Sequence, residues 1–231
     1  MDRKNAHSTL LGLLTVVVVI LAATWGVSAW RERDHFTLSK TREVPSSLDG
    51  QKYRVHLAHD APAEAADRLA AVNRRTIELI RHLRDRYVRA PPGAAVSEAR
   101  RTVALRLLGR YNPDNLAENS PRDPDGDTSY TINKGVVLAL CLREGAAGGD
   151  GVYDLHDVET LTFVTFHELA HIGIKDIDHP DRFWRAFKFL LEEADEAGLI
   201  RNTDYARRSI NYCGLPVDYN PFFDRGLPSL R

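Results

Sequence analysis

The chain has little sulfur. Two cysteines in 231 residues exclude a disulfide-dense scaffold and any zinc module built from four thiolates. It also lacks an excess of either charge sign, with 31 Lys+Arg against 32 Asp+Glu and a formal net charge of −1. That balance argues against a wholly polybasic nucleic-acid binder and against an acidic disordered tail. No phosphate-binding P-loop, dinucleotide fingerprint, GxSxG elbow, Asn-x-Ser/Thr sequon or internal repeat occurs. What is present is ordinary globular composition, 43% hydrophobic and 27% charged, with nine histidines that leave room for an imidazole-based metal site.

One long apolar run stands at the N-terminus, from Leu10 to Trp30, without a charge. A helix over these residues rises about 31 Å, enough to cross a hydrocarbon layer of about 30 Å. Trp25 and Trp30 lie near its end, where aromatic rings favour the interface, and Arg31 to Asp34 stop it. The rival reading is a cleaved signal peptide ending near Ala29. The run is long for such a segment, so the expectation is an uncleaved single-pass anchor over 10–30, preceded by a short tail over 1–9. Arg3 and Lys4 precede the run, while Arg31, Arg33, Lys40 and Arg42 follow it, which places the C-terminal domain in the cytosol by the positive-inside rule.

Residues 31–50, with Pro45, Ser46, Ser47 and Gly50, read as a juxtamembrane linker, and 51–231 as the folded domain. Gln51 to Ala58 alternates like a strand. Asp60 and Pro62 open a helix carrying Leu69, Val72, Thr76, Leu79 and Leu83 at helical spacing, and Ser97 opens a second helix to about Arg110. The stretch 64–110 holds eleven arginines against five acids. It reads as solvated helix faces, with a phosphate or anionic-lipid patch as the alternative. Asp123, Asp125 and Asp127 lie in a turn whose spacing does not fit a calcium loop. Thr128–Ile132 and Val136–Leu142 read as two strands.

One pentad carries chemistry. His167-Glu168-Leu169-Ala170-His171 lies on a helix expected from about Val158. Side chains four apart on a helix point the same way, so both imidazoles can meet one ion. Glu168 sits one step round, within reach of a water on that ion but poorly placed as a ligand. It is the candidate general base. Leu161, Phe163, Val164, Phe166, Leu169 and Ile172 make the helix largely buried, and buried polar groups in such a setting need a reason such as a metal. A third ligand is required. His179, eight residues beyond His171 and past a turn at Gly173, is the best candidate; Asp176, Asp178, Glu192 and Glu193 are alternatives. His179 also stands where a helix cap would, just before Pro180.

These segments together resemble the WLM metallopeptidases, a branch of the zincins near the SprT-like proteins. The resemblance runs from about Asn112 to Leu191. It rests on Thr131-Ile132-Asn133-Lys134-Gly135, Leu140-Cys141-Leu142-Arg143, Phe166 with the pentad, His179 and the pair Phe183-Trp184. His179 stands farther along the chain than its counterpart in the family. With the apolar N-terminus, the chain also resembles membrane-anchored WLM-like proteins of large DNA viruses and protists. The resemblance implies an α+β, minimal zincin-like domain that binds Zn2+ through His167, His171 and His179. It implies Glu168 as general base and a protein or peptide as substrate. It further implies that the strand Val136–Arg143 is an edge along which an extended substrate adds by β-augmentation.

Tyr212 or Tyr219 in the tail is a candidate for stabilising a transition-state oxyanion, against the plainer reading of a packed tail. Cys141 reads as an inert buried thiol, with Cys213 able to pair with it only in oxidising surroundings. The expectation is therefore a membrane-anchored zinc metallopeptidase. A catalytically silent zinc-stabilised scaffold and a DNA-associated protease using the arginine-rich helices stand as alternatives.

Overall fold

The structure is a computed structural model that describes residues 40–91, 93–120, 128–132, 137–144, 154–176 and 178–231. Its elements in chain order are β1 (Thr41–Pro45), β2 (Lys52–His56), α1 (Pro62–Leu83), α2 (Glu98–Arg110), β3 (Leu116–Asn119), β4 (Tyr130–Ile132), β5 (Val137–Cys141), α3 (Val158–Gly173), α4 (Asp181–Glu196), β6 (Ile210–Tyr212) and β7 (Leu215–Val217). The class is α+β, as expected.

The anchored architecture is corrected. Residues 10–30 lie outside the described residues, and among the described residues no helix is long and apolar enough to cross a membrane. The longest, α1, is 22 residues but carries Glu64, Asp67, Arg68, Arg74, Arg75, Glu78 and Arg81. The most apolar, α3, has only 16 residues, about 24 Å of helix. The single-pass membrane placement with a cytosolic domain is withdrawn on this finding. The expected linker also ends earlier: residues 41–45 are strand, paired antiparallel with β2 from Thr41↔His56 to Pro45↔Lys52. Polar composition hid this strand because it is an edge whose outer positions face water.

The main sheet has the order β1-β2-β3-β5-β4. β2, β3 and β5 run parallel, and α1 and α2 form the crossover between β2 and β3. β5 is buried at every position, which its VLALC sequence requires. It is not an edge strand, contrary to expectation. β4 covers it through Tyr130↔Ala139, Thr131↔Leu138 and Ile132↔Val137, and β4 is the last strand of the sheet. Past β4, the end of β5 is occupied by other groups. Cys141 N–H donates to Ser129 Oγ at 2.9 Å, and Arg143 bridges to Leu155.

α1 starts differently from expectation. Ala61, not Asp60, is the cap, in a left-handed conformation with no side-chain capping bond. α2 is capped by Ser97, whose oxygen accepts from Arg100 N–H at 3.3 Å. α3 is capped by Asp157, whose carboxylate accepts from Thr160 N–H and Oγ1, both at 2.9 Å. α3 is the centre of the domain, and most of its side chains are buried. It ends at Gly173, where an added Cβ would stand 2.9 Å from Val103 Cγ1. That glycine allows α2 to approach, and Arg106 then donates to the Gly173 carbonyl at 3.0 Å.

The arginines of 64–110 are largely spent on such ties. Arg68 donates to the His156 carbonyl, Arg75 to Glu159 and Thr162, Arg100 to the Leu230 carbonyl, and Arg86 pairs with Glu196.

Candidate metal centre

α3 projects His167 and His171 from one face, one turn apart. Beyond Gly173, Asp178 stands in the left-handed region at φ 62°. His179, just before α4, comes back onto the two imidazoles. His179 Nε2 lies 3.0 Å from His167 Nε2 and 3.2 Å from His171 Nε2. Nitrogens bound tetrahedrally at about 2.1 Å from one zinc stand roughly 3.4 Å from each other, so three nitrogens at this spacing fit one ion with little movement.

The electrostatics fit as well. Burial, and then the neighbouring His171 and His179, push the His167 pKa down to about 3. Burial lowers His179 too, against the charge of Asp178. Neutral imidazoles are the ligating form. Phe183, 0% exposed, floors the cluster, with its ring centroid 4.8, 4.3 and 4.5 Å from those of His167, His171 and His179. Such an apolar floor fixes the rings and keeps water from competing beneath them.

Among the described residues, His167, His171 and His179 are the cluster able to hold a metal. The alternative third ligands lie elsewhere. Glu193 is buried and held by Tyr87 Oη at 2.6 Å and His82 Nε2 at 2.9 Å. Asp176 faces Arg182 at 3.8 Å. His179 does not cap α4; Pro180 occupies that position without a side-chain bond. Glu168 is buried on the neighbouring face of α3, and burial raises its pKa to about 8. Among the described residues the cluster consists of three imidazoles and no carboxylate.

The tail tyrosines separate. Tyr212 is buried and donates to the Cys141 carbonyl at 2.7 Å, so its phenol is committed to structure rather than free for an oxyanion. Tyr219 is 37% exposed and packs edge-to-face on Trp184, which lies beside His179. The expectation of an inert Cys141 thiol is corrected: Cys141 and Cys213 form a disulfide. The pairing, held open in the sequence for oxidising surroundings, joins residues with a sequence separation of 72.

The fold and site thus define an α+β domain whose central helix presents a three-imidazole cluster beside a buried carboxylate. No family profile matches the chain, and no solved structure matches it. Curated relatives are viral. The chain is 31% identical over 135 residues to "Uncharacterized protein 136R" of Invertebrate iridescent virus 6, covering 58% of this chain and 70% of that protein. It belongs to the family of that protein. It is also 38% identical over 104 residues to "Uncharacterized protein R325" of Acanthamoeba polyphaga mimivirus, covering 45% of this chain and 49% of the relative. A third match, "Uncharacterized protein 042R" of Invertebrate iridescent virus 3, is 34% identical over 112 residues, covering 47% of this chain and 65% of the relative. The chain therefore spans about half the length of the mimivirus relative.

Proposed function

We propose that the chain is a zinc-dependent metallopeptidase of the WLM type. The observation that carries this reading is the convergence of three imidazole nitrogens within hydrogen-bonding distance of one another, with Glu168 buried next to the first. A zinc ion held there supplies a Lewis acid that polarises a peptide carbonyl and lowers the pKa of water towards about 7.

The protein's own groups do the rest. His167, His171 and His179 would hold the ion, with their rings packed against Phe183. Glu168 takes up the proton of the attacking water and returns it to the leaving amine.

The purified protein is expected to bind about one zinc per chain. Glu168→Gln is expected to keep the zinc and lose peptide hydrolysis. A fully folded protein that takes up no zinc would refute the reading. A Glu168→Gln protein as active as the wild type would remove the assigned base. The silent-scaffold alternative calls for a closed coordination shell, which the zinc-loaded protein would show by binding no exchangeable water or substrate carbonyl.

A further inference from the structure

An aromatic wall leads away from the three histidines, and it is built from two distant parts of the chain. Phe183 is its buried base. Trp184 comes next, its ring 5.6 Å from His179 at an interplanar angle of 30° and 6.4 Å from His167. Tyr219, from the C-terminal tail, closes edge-to-face on Trp184 at 5.2 Å and 82°. The wall thus runs from a fully buried ring, past the exposed His179, to a ring 37% exposed.

Polar ties hold the tail side of the wall in place. Tyr219 Oη donates to Asp224 Oδ2 at 2.8 Å. Asp224 Oδ1 accepts from Gly226 N–H at 2.8 Å and Leu227 N–H at 3.1 Å. Lys188, one turn beyond Trp184 on α4, donates to the Asp224 carbonyl. Asn220 donates to the Thr203 carbonyl at 2.9 Å and accepts from Phe222 N–H at 3.0 Å.

We infer that Trp184 and Tyr219 form a specificity subsite beside the metal centre, which takes a large apolar or aromatic side chain of a peptide substrate. Resting on the peptidase reading for the nature of its occupant, the inference concerns which peptides are taken, not whether they are cut. An aromatic pair next to the ligand His179 selects by dispersion and ring-edge contact rather than by charge. Aromatic–aromatic contacts contribute about 0.5–1.5 kcal/mol, so loss of one ring is expected to cost about tenfold in affinity at most.

The test separates binding from turnover. The zinc-loaded full chain carrying Glu168→Gln is titrated against a positional library of N-acetylated, C-amidated octapeptides. Enrichment of Phe, Tyr, Trp, Leu or Met at one position is expected. Tyr219→Ala in that background is expected to weaken the preferred peptides roughly three- to tenfold, while Tyr219→Phe keeps the ring and most of the preference. Trp184→Leu, a milder change than Trp184→Ala, is expected to lower the same preference with zinc content unchanged.

No peptide binding, a preference for charged side chains, or a preference untouched by both Tyr219→Ala and Trp184→Leu would each overturn the subsite. Cleavage of the same library by the wild-type chain is read separately. Selective binding without cleavage removes the peptidase reading and upholds the wall; cleavage with no apolar preference does the reverse.

Discussion

The phenol of Tyr212 donates a 2.7 Å hydrogen bond to the carbonyl of Cys141, next to the covalent link from Cys141 to Cys213. The same phenol lies 2.7 Å from Ser129 Oγ, which in turn accepts the Cys141 N–H at 2.9 Å. Side chains therefore complete the pairing of β5 where β4 has ended. Tyr212→Phe leaves the buried Cys141 carbonyl without this donor and is expected to cost about 1–3 kcal/mol in denaturant unfolding. An unchanged midpoint would mean that water or another group replaces the phenol at no cost.

The disulfide closes a loop across a sequence separation of 72 residues. Chain-entropy arguments give such a link about 4 kcal/mol, less any strain. Reduction by a dithiol, or Cys213→Ala, is expected to lower the thermal midpoint by several degrees. Equal midpoints with and without reductant would show that the crosslink carries no stability.

Gly173→Ala sets a methyl 2.9 Å from Val103 Cγ1, and the rigid α2–α3 contact leaves it little room. A destabilisation of about 1–3 kcal/mol is expected. Val103→Ala in the same chain should recover part of it, so the two changes are non-additive. Strict additivity would place the strain elsewhere.

Burial works to raise the Asp157 carboxyl, but the bonds from Thr160 outweigh it and hold its pKa below the usual aspartate range. A carboxylate depressed on folding stabilises above its unfolded value, and that contribution is lost as pH falls through the folded one. Acid unfolding is therefore expected to weaken α3 as pH drops below about 3.8. Asp157→Asn keeps an oxygen acceptor for the cap and should flatten that limb of the stability profile. An identical acid limb in both proteins would remove Asp157 from the account.

His179→Ala should weaken zinc affinity by at least about 100-fold, since even indirect partners of a ligand cost 10–100-fold. Competition with a chelator measures this. Asp176→Asn and Glu193→Gln should leave the affinity in place, because neither carboxylate joins the cluster. A zinc site indifferent to His179 would shift the third ligand to another group.

The helices were the most legible part of the sequence. α2 begins after Ser97 and α3 at Val158, where capping chemistry and apolar spacing place them. His167 and His171 could be paired on spacing alone, because helix periodicity fixes their common face. His179 was less certain, since it follows a left-handed Asp178 that no periodicity encodes. β1 was hidden among polar linker residues, and the β5 edge was misplaced because the short β4 pairs outside it. The Cys141–Cys213 link and the Trp184–Tyr219 contact depend on where the tail returns, and that is a tertiary property.

The covalent link encloses more than β5. All three clustered imidazoles lie between residues 141 and 213. A single backbone cut anywhere in that interval leaves two pieces still joined through sulfur. A nicked molecule would thus run as one species without reductant and as two with it. It would also keep its full complement of imidazoles in a single covalent body, a useful tolerance in a chain whose proposed chemistry is the severing of chains.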